Sequence, residues 1–305
     1  MKAIRIHEYG DASTLKLEEI PHLSIADDQI LVRIHDAGVN PIDWKIRQGY
    51  MRQVRPATFP ITIGQDFAGE VVEVGKAVNQ FAVGDNVFGF AQGTYAEYAA
   101  APLCTVAAIP KSIDFATAAA LPTAGLTALQ IIRDIVAAKS WIRVLIHGAA
   151  GGVGSYASQI AKNLGARVIG TATGADIEYL QSLGVSEVID YKRERFEDKA
   201  AEVDAVVDLV GGETLARSYA VVKKGGVLAT TVQTVDESAA KRAGIRAVQV
   251  VMKRNAADLS ELVRLVEKGA LKPRLDKTMR LSEARQAQEL SETGKTQGKV
   301  ILKVA

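Results

Sequence analysis

A chain of 305 residues that is 48% hydrophobic and 24% charged holds enough apolar material for one large core or two ordinary ones, which excludes a disordered chain. Its 37 basic and 35 acidic side chains are interspersed and leave a formal net charge of +2, so no strong field argues for nucleic acid as a partner. The single cysteine, Cys104, rules out an intramolecular disulfide and a Cys-x-x-Cys zinc site, and it fits a reducing, cytoplasmic setting.

The first residues alternate apolar and charged side chains, without the apolar run of a signal peptide. That alternation predicts a half-buried strand over 2–6 and another over 30–36. Gly64 to Gly84 carries short β-branched runs punctuated by glycine. Val83-Gly84-Asp85-Asn86-Val87 then gives a turn, followed by a strand-like stretch from Tyr95 to Ala100. A compact barrel of short strands is expected for this first third.

From about residue 113 helix and strand alternate. An alanine-rich helix and a second over 126–138 form a pair too polar, and too broken by Pro122 and Gly125, to span a bilayer. Apolar strands are expected at 144–146, 167–170, 187–189, 204–210, 226–230 and 246–252, with helices at 152–164 and 175–183. Such a series predicts a parallel, doubly wound sheet. An amphipathic helix over 258–268 and a strand over 299–304 close the chain. The fold class is therefore α/β, with residues 1–115 and 257–305 forming a substrate domain around a nucleotide domain at 116–256. The strand near Arg246 to Met252 is expected at a sheet edge, where it would pair in a homodimer.

The most specific motif runs from strand to helix: Val144-Leu145-Ile146-His147, then Gly148, Ala149, Ala150, Gly151, Gly152, Val153 and Gly154. Gly151 and Gly154 fill the second and third glycine slots of the dinucleotide fingerprint, with Ala149 in the first. The helix N-terminus there offers N–H groups to a pyrophosphate. His147 is read as a local hydrogen-bonding residue. NAD enzymes place a carboxylate after the second strand; this chain has Thr171-Ala172-Thr173-Gly174 and no acid until Asp176, which favours NADPH. Tyr191 and the cations Lys192 and Arg193 could receive a 2′-phosphate, or the cations could be a solvated charge run. Asp208 and Thr230 stand at later strand ends and are expected to border the nucleotide, unless Asp208 caps its own turn.

Residues Gly148 to Gly154, Val39 to Lys45, Gly64 to Val71, Val83 to Val87, Gly125 to Ala128 and Gly298 to Leu302 together resemble the zinc-lacking quinone oxidoreductase branch of the medium-chain dehydrogenase/reductase superfamily. The resemblance spans essentially the whole chain and implies a GroES-like barrel, a Rossmann domain and bound NADPH. It places Asn40 and Thr127 by the nicotinamide and Tyr191 on the 2′-phosphate. Where some members carry a phosphate-binding lysine this chain has Asp176, and Thr173 stands as the substitute hydroxyl.

Zinc-dependent relatives put a cysteine and a His-Glu pair at the positions of Asn40 and Gln65-Asp66, so no metal site is expected. A conjugated acceptor, a quinone or an enone, then fits best, because its charge spreads onto an oxygen that hydrogen-bond donors can hold. Asn40, Asp43 and Lys45 are the candidate catalytic residues, with surface or capping roles as the plain alternative for the latter two. Tyr50 directly follows Gly49, which breaks the spacing of the tyrosine used by related enoyl reductases, and Trp44 is expected in the core. An NADPH-binding structural or sensing protein of the crystallin kind is the alternative function.

Overall fold

The computed structural model describes residues 1–54 and 56–305. Two compact units make up the chain. One comprises Met1–Thr123, Arg254–Glu267 and Pro273–Ala305; the other comprises Ala124–Lys253 and Lys268–Lys272.

The first unit is mainly β. Its strands are β1 (Lys2–Ile6), β2 (Lys16–Glu19), β3 (Gln29–Val39), β4 (Ile61–Thr62), β5 (Asp66–Val74), β6 (Asn86–Phe90), β7 (Tyr98–Pro102) and β8 (Val106–Ala108). The next six strands belong to the second unit: β9 (Arg143–His147), β10 (Arg167–Ala172), β11 (Glu187–Asp190), β12 (Val203–Asp208), β13 (Val222–Thr230) and β14 (Arg246–Gln249). The first unit resumes with β15 (Leu275–Arg280) and β16 (Lys299–Lys303). The helices are α1 (Pro41–Arg47), α2 (Phe115–Ala119), α3 (Pro122–Gln130), α4 (Gly152–Asn163), α5 (Ala175–Ser182), α6 (Gly212–Ser218), α7 (Glu237–Ala243), α8 (Ala256–Glu267) and α9 (Ala284–Glu292).

In the first unit a sheet in the order β15-β16-β3-β5-β6-β8, with β7 also on β3, packs its inward side chains around Ile30, Val32, Ile34, Phe67, Val71 and Leu302. The antiparallel register opposes Val300 to Val39 and Asp66 to Gly38. This register brings the start of β16 and the start of β5 to the end of β3. The expected strand at 95–100 begins only at Tyr98, because Tyr95 and Ala96 turn inward and only an isolated bridge, Ala3 to Ala96, ties them to β1.

The second unit is a six-stranded sheet in the order β11-β10-β9-β12-β13-β14, every pairing parallel, over a core that includes Leu145, Ile169, Val206 and Leu228. Renumbered within the unit, that order is 3-2-1-4-5-6, the doubly wound arrangement whose ligand crevice lies where the order reverses, between β9 and β12. Strand β14 is shorter than expected and lies at the sheet edge.

Helix α1 follows β3 at once. Pro41 opens it, and the Asp43 carboxylate reaches back to accept the Asn40 backbone N–H at 2.8 Å. At its far end Arg47, fully buried, donates to Gln288 Oε1 at 2.7 Å and to the Gly10 carbonyl at 2.9 Å and pairs with Glu292, fastening α1 to α9. Removing one member of a buried pair costs about 3 kcal/mol. Arg47→Ala is therefore expected to lower the unfolding free energy from denaturant titration by about 3 kcal/mol, whereas Arg285→Ala, which breaks an exposed pair with Glu289 on the same helix, should leave it essentially unchanged.

Candidate active site

The end of β9 and the start of α4 are built around two glycines with different constraints. Gly148 has φ +70°, a backbone conformation that favours glycine. A Cβ at Gly154 would lie 2.1 Å from the Gly148 carbonyl oxygen, so only glycine lets the first turn of the helix close against the strand end. Gly151, the N-cap, is different: a Cβ there meets only the Gly148 oxygen, at 3.3 Å, and the space in front of it is open. No side chain caps α4, which leaves the first-turn N–H groups of Gly152 and Val153 and the positive end of a twelve-residue helix for an anion. A nicotinamide dinucleotide fits this cradle.

The turn is held from below. Thr171 at the end of β10 accepts the Gly148 N–H on its hydroxyl and the Ala149 N–H on its carbonyl, both at 3.3 Å. Its hydroxyl therefore faces the glycine turn and is buried there. Ala149 packs on Gly170, and Ala150 is also buried. His147 sits between the Thr171 hydroxyl at 3.3 Å and the Ser218 hydroxyl at 3.1 Å, edge-on to Phe196, and keeps the local role expected of it. Burial, with Arg217 adding to it, pushes its imidazole down to about 4.

Asp208 and Thr230 are also turned inward. Asp208 is fully buried; its carboxylate accepts the Gly211 N–H at 3.1 Å and the Thr230 hydroxyl at 3.0 Å. Asp208 thus takes its turn-capping alternative, and Thr230, expected to border the nucleotide, turns its hydroxyl inward to Asp208, so both side chains shape the loops after β12 and β13 from within. What those loops present outward are two valines absent from the expected set: Val210, 55% exposed and leaning on Gly148, and Val232. A valine two positions beyond each strand end, Asp208 and Thr230, was the available signal. On the β10 and β11 side, Thr173 is half-buried and Tyr191 is 57% exposed, so both remain accessible, while Arg193 pairs with Asp190. Thr127 is buried on α3.

In the first unit the end of β3 carries a buried polar network. Asn40, 1% exposed, donates through Nδ2 to Asp66 Oδ2 at 2.8 Å and accepts the Lys299 ammonium on Oδ1. Lys299 also donates to the Val39 carbonyl at 3.0 Å. Asp66 accepts in addition the Thr123 hydroxyl at 2.6 Å and the Thr123 N–H at 3.0 Å. Asp43 Oδ2 accepts the Tyr95 hydroxyl at 2.9 Å, and burial, with Asp66 nearby, pushes the Asp43 carboxyl up to about 7. Desolvation lowers the Lys299 ammonium, and Asp66 opposes that shift. Asp43, expected either among the catalytic groups or as a turn or cap residue, is fully buried and caps the start of α1.

Lys45 lies half-exposed over the Trp44 ring at 5.6 Å, and Trp44 packs edge-on against the exposed Tyr50 ring at 6.2 Å. Trp44 is thus a half-buried shelf rather than a core residue. Arg254, also absent from the expected set, stacks over Phe90 at 4.7 Å and donates to Gln65. Asn40 and Asp66 bond to each other, and among the described residues no group of three or more His, Cys, Asp or Glu is placed to hold a metal ion. Cys104 is exposed on a short helical turn away from these groups in sequence. This donor set does not fit zinc.

The His147 environment has a pH consequence. The unfolded state takes up a proton near pH 6.5 that the folded state refuses until about pH 4, so the stabilisation is complete above the first value and is lost as pH falls toward the second. His147→Gln is expected to flatten the decline of the urea midpoint across that window; an unaltered slope would contradict a neutral, buried imidazole.

Residues 26–111 match the alcohol dehydrogenase GroES-like domain family, and residues 183–302 match a family described as zinc-binding dehydrogenase. The chain is 35% identical over 99% of its length, and 79% of the relative's, to the chloroplastic NADPH-dependent alkenal/one oxidoreductase of Arabidopsis thaliana. The quinone oxidoreductase of Coxiella burnetii is 37% identical, superimposes with a TM-score of 0.95 and is matched over 100% of this chain and 99% of its own. The Escherichia coli quinone oxidoreductase complexed with NADPH is 28% identical, with a TM-score of 0.91 over 99% of each chain. No helix among the described residues is long and apolar enough to cross a membrane. The glycine cradle on a 3-2-1-4-5-6 sheet, the GroES-like unit and these likenesses agree: the chain belongs to the quinone oxidoreductase branch of the medium-chain dehydrogenase/reductase superfamily, and is an oxidoreductase that binds a nicotinamide cofactor.

Proposed function

We propose that the protein reduces a quinone or an α,β-unsaturated carbonyl with NADPH, and that it does so without zinc. The observation that carries this reading is the network of Lys299, Asn40 and Asp66, in which the residues standing at the metal-ligand positions of zinc relatives bond to one another. Reduction of an isolated carbonyl concentrates charge on one alkoxide oxygen, for which those relatives use a Lewis acid. A conjugated acceptor spreads that charge, and hydrogen-bond donors suffice. The names of the protein's relatives, an alkenal/one oxidoreductase and a quinone oxidoreductase, support the same substrate class.

When bound, the nicotinamide nucleotide supplies the hydride. We assign its binding to residues 116–256 and substrate handling to 1–115 and 257–305. The Gly152 and Val153 N–H groups hold the pyrophosphate, Gly148, Ala149 and Ala150 form the turn under it, Gly151 keeps it free of a side chain, and Gly154 lets the helix close on the strand end. Asn40 and Thr127 orient the nicotinamide. Thr173 and Tyr191 receive the 2′-phosphate, since β10 ends without a carboxylate to repel it. Lys45 keeps an accessible ammonium for the developing oxyanion. The edge strand β14 and Val251, 81% exposed, support a homodimer.

Purified protein is expected to oxidise NADPH when quinones or alkenals are added, with NADH a poorer donor and metal chelators without effect. Cofactor binding with no stimulated oxidation across the panel would leave only a binding protein. Gly151→Ala should keep the thermal midpoint yet weaken NADPH at least about tenfold, the scale of lost hydrogen bonds to a charged group. Unchanged affinity would remove the pyrophosphate from this turn.

A further inference from the structure

Asn40 can sit in its cavity in two ways that differ by a flip of its amide, and its neighbours decide between them. Lys299 can only donate, and its ammonium faces Oδ1. The Asp66 side chain already receives two hydrogen bonds from Thr123 and faces Nδ2 at 2.8 Å. A flipped amide would set NH2 against the ammonium and an oxygen against the carboxyl group, so two groups 233 residues apart, at 66 and 299, fix one orientation. The second Nδ2 hydrogen has only the Gly38 carbonyl near it, at 3.5 Å, the limit of a hydrogen bond.

Lys299 is 4% exposed, and its other contact, the Val39 carbonyl, adds to the same corner. Burying an ammonium is costly, and the burial lowers its proton affinity while Asp66 and Asp43 oppose that shift. An apolar residue would fill the start of β16 more cheaply if packing were the whole role. We propose that Lys299 is a positioning residue for the reaction: with Asp66 it locks the Asn40 amide in one orientation, so that the second Nδ2 hydrogen is held ready to donate to a ligand. This rests on the reading of Asn40 as a neighbour of the nicotinamide.

A double-mutant cycle on the full-length protein tests it, using Asn40→Ala, Lys299→Met and the pair. Each variant is measured by NADPH dissociation constant, by kcat and KM with one quinone, and by thermal midpoint. Each single change is expected to lower kcat/KM or NADPH affinity at least about tenfold, and Lys299→Met should cost no further factor once Asn40 is alanine. Lys299→Gln, which keeps an N–H for Asn40 Oδ1, should recover most of the Lys299→Met loss. Multiplying losses in the pair, or no loss in Lys299→Met, would overturn the proposal. Should Lys299→Met fail to fold, Lys299→Gln decides: activity no better than Asn40→Ala overturns the proposal, and near wild-type activity supports it. A wild-type protein inert toward the quinone panel defeats the proposed reaction instead, and the cycle is then judged on NADPH affinity alone.

Discussion

The distance between the first turn of α4 and the end of β9 is set by the missing side chain at position 154, where a Cβ would press into the Gly148 carbonyl at 2.1 Å. Because the helix can close this far, its uncapped N–H groups point at a fixed place beyond the strand end. The parallel sheet makes that place a crevice, since the strand order reverses between β9 and β12. Thr171, His147 and Asp208 then act beneath the surface. Thr171 and Asp208 bond to the turns that form the crevice, His147 braces Thr171, and the outer face is left to backbone N–H groups and to Val210 and Val232.

The barrel-like unit meets a second constraint, electrostatic in kind. Its buried corner at the end of β3 holds Asp66, Asp43 and Lys299 with little water to screen them. One ammonium cannot balance two carboxylates at that depth, and Asp43 relieves the imbalance by holding its proton up to about pH 7. The pairing of β16 with β3 delivers the cation: Val300 opposes Val39, so the residue before Val300 falls beside Asn40. On the proposed reading, this corner offers a reaction oriented neutral and cationic donors, which suit a conjugated acceptor.

Local patterns were readable in advance. The strand, glycine turn and helix around Gly148 to Gly154 are contiguous in sequence, and the six apolar strands of the parallel sheet announce themselves by spacing, so the nucleotide unit was legible. The position of β14 at the sheet edge was legible too, though not its length. Side-chain direction was not. Asp208, Thr230 and Thr171 stand at the right strand ends, yet a short polar side chain there can turn outward to a ligand or inward to its own loop, and only packing decides. Non-local pairing was equally hidden. Lys299 was visible only as part of a terminal strand, because its partner lies 259 positions away. Tyr95 looked like part of a strand, but its hydroxyl donates to the buried Asp43 carboxyl group. Trp44 read as core because it is large and apolar, while in the structure it is a half-exposed shelf for Lys45.

The most direct measurement is a single turnover with NADPH deuterated at the transferring C4 position, an α,β-unsaturated ketone as acceptor and metal-depleted protein, followed by mass and NMR analysis of the product. Hydride transfer to a conjugated acceptor without zinc requires one deuterium at the β-carbon, delivered at the same rate before and after metal depletion. Product lacking the label, deuterium on the carbinol carbon of an alcohol, or activity that returns only when zinc is restored would contradict the account.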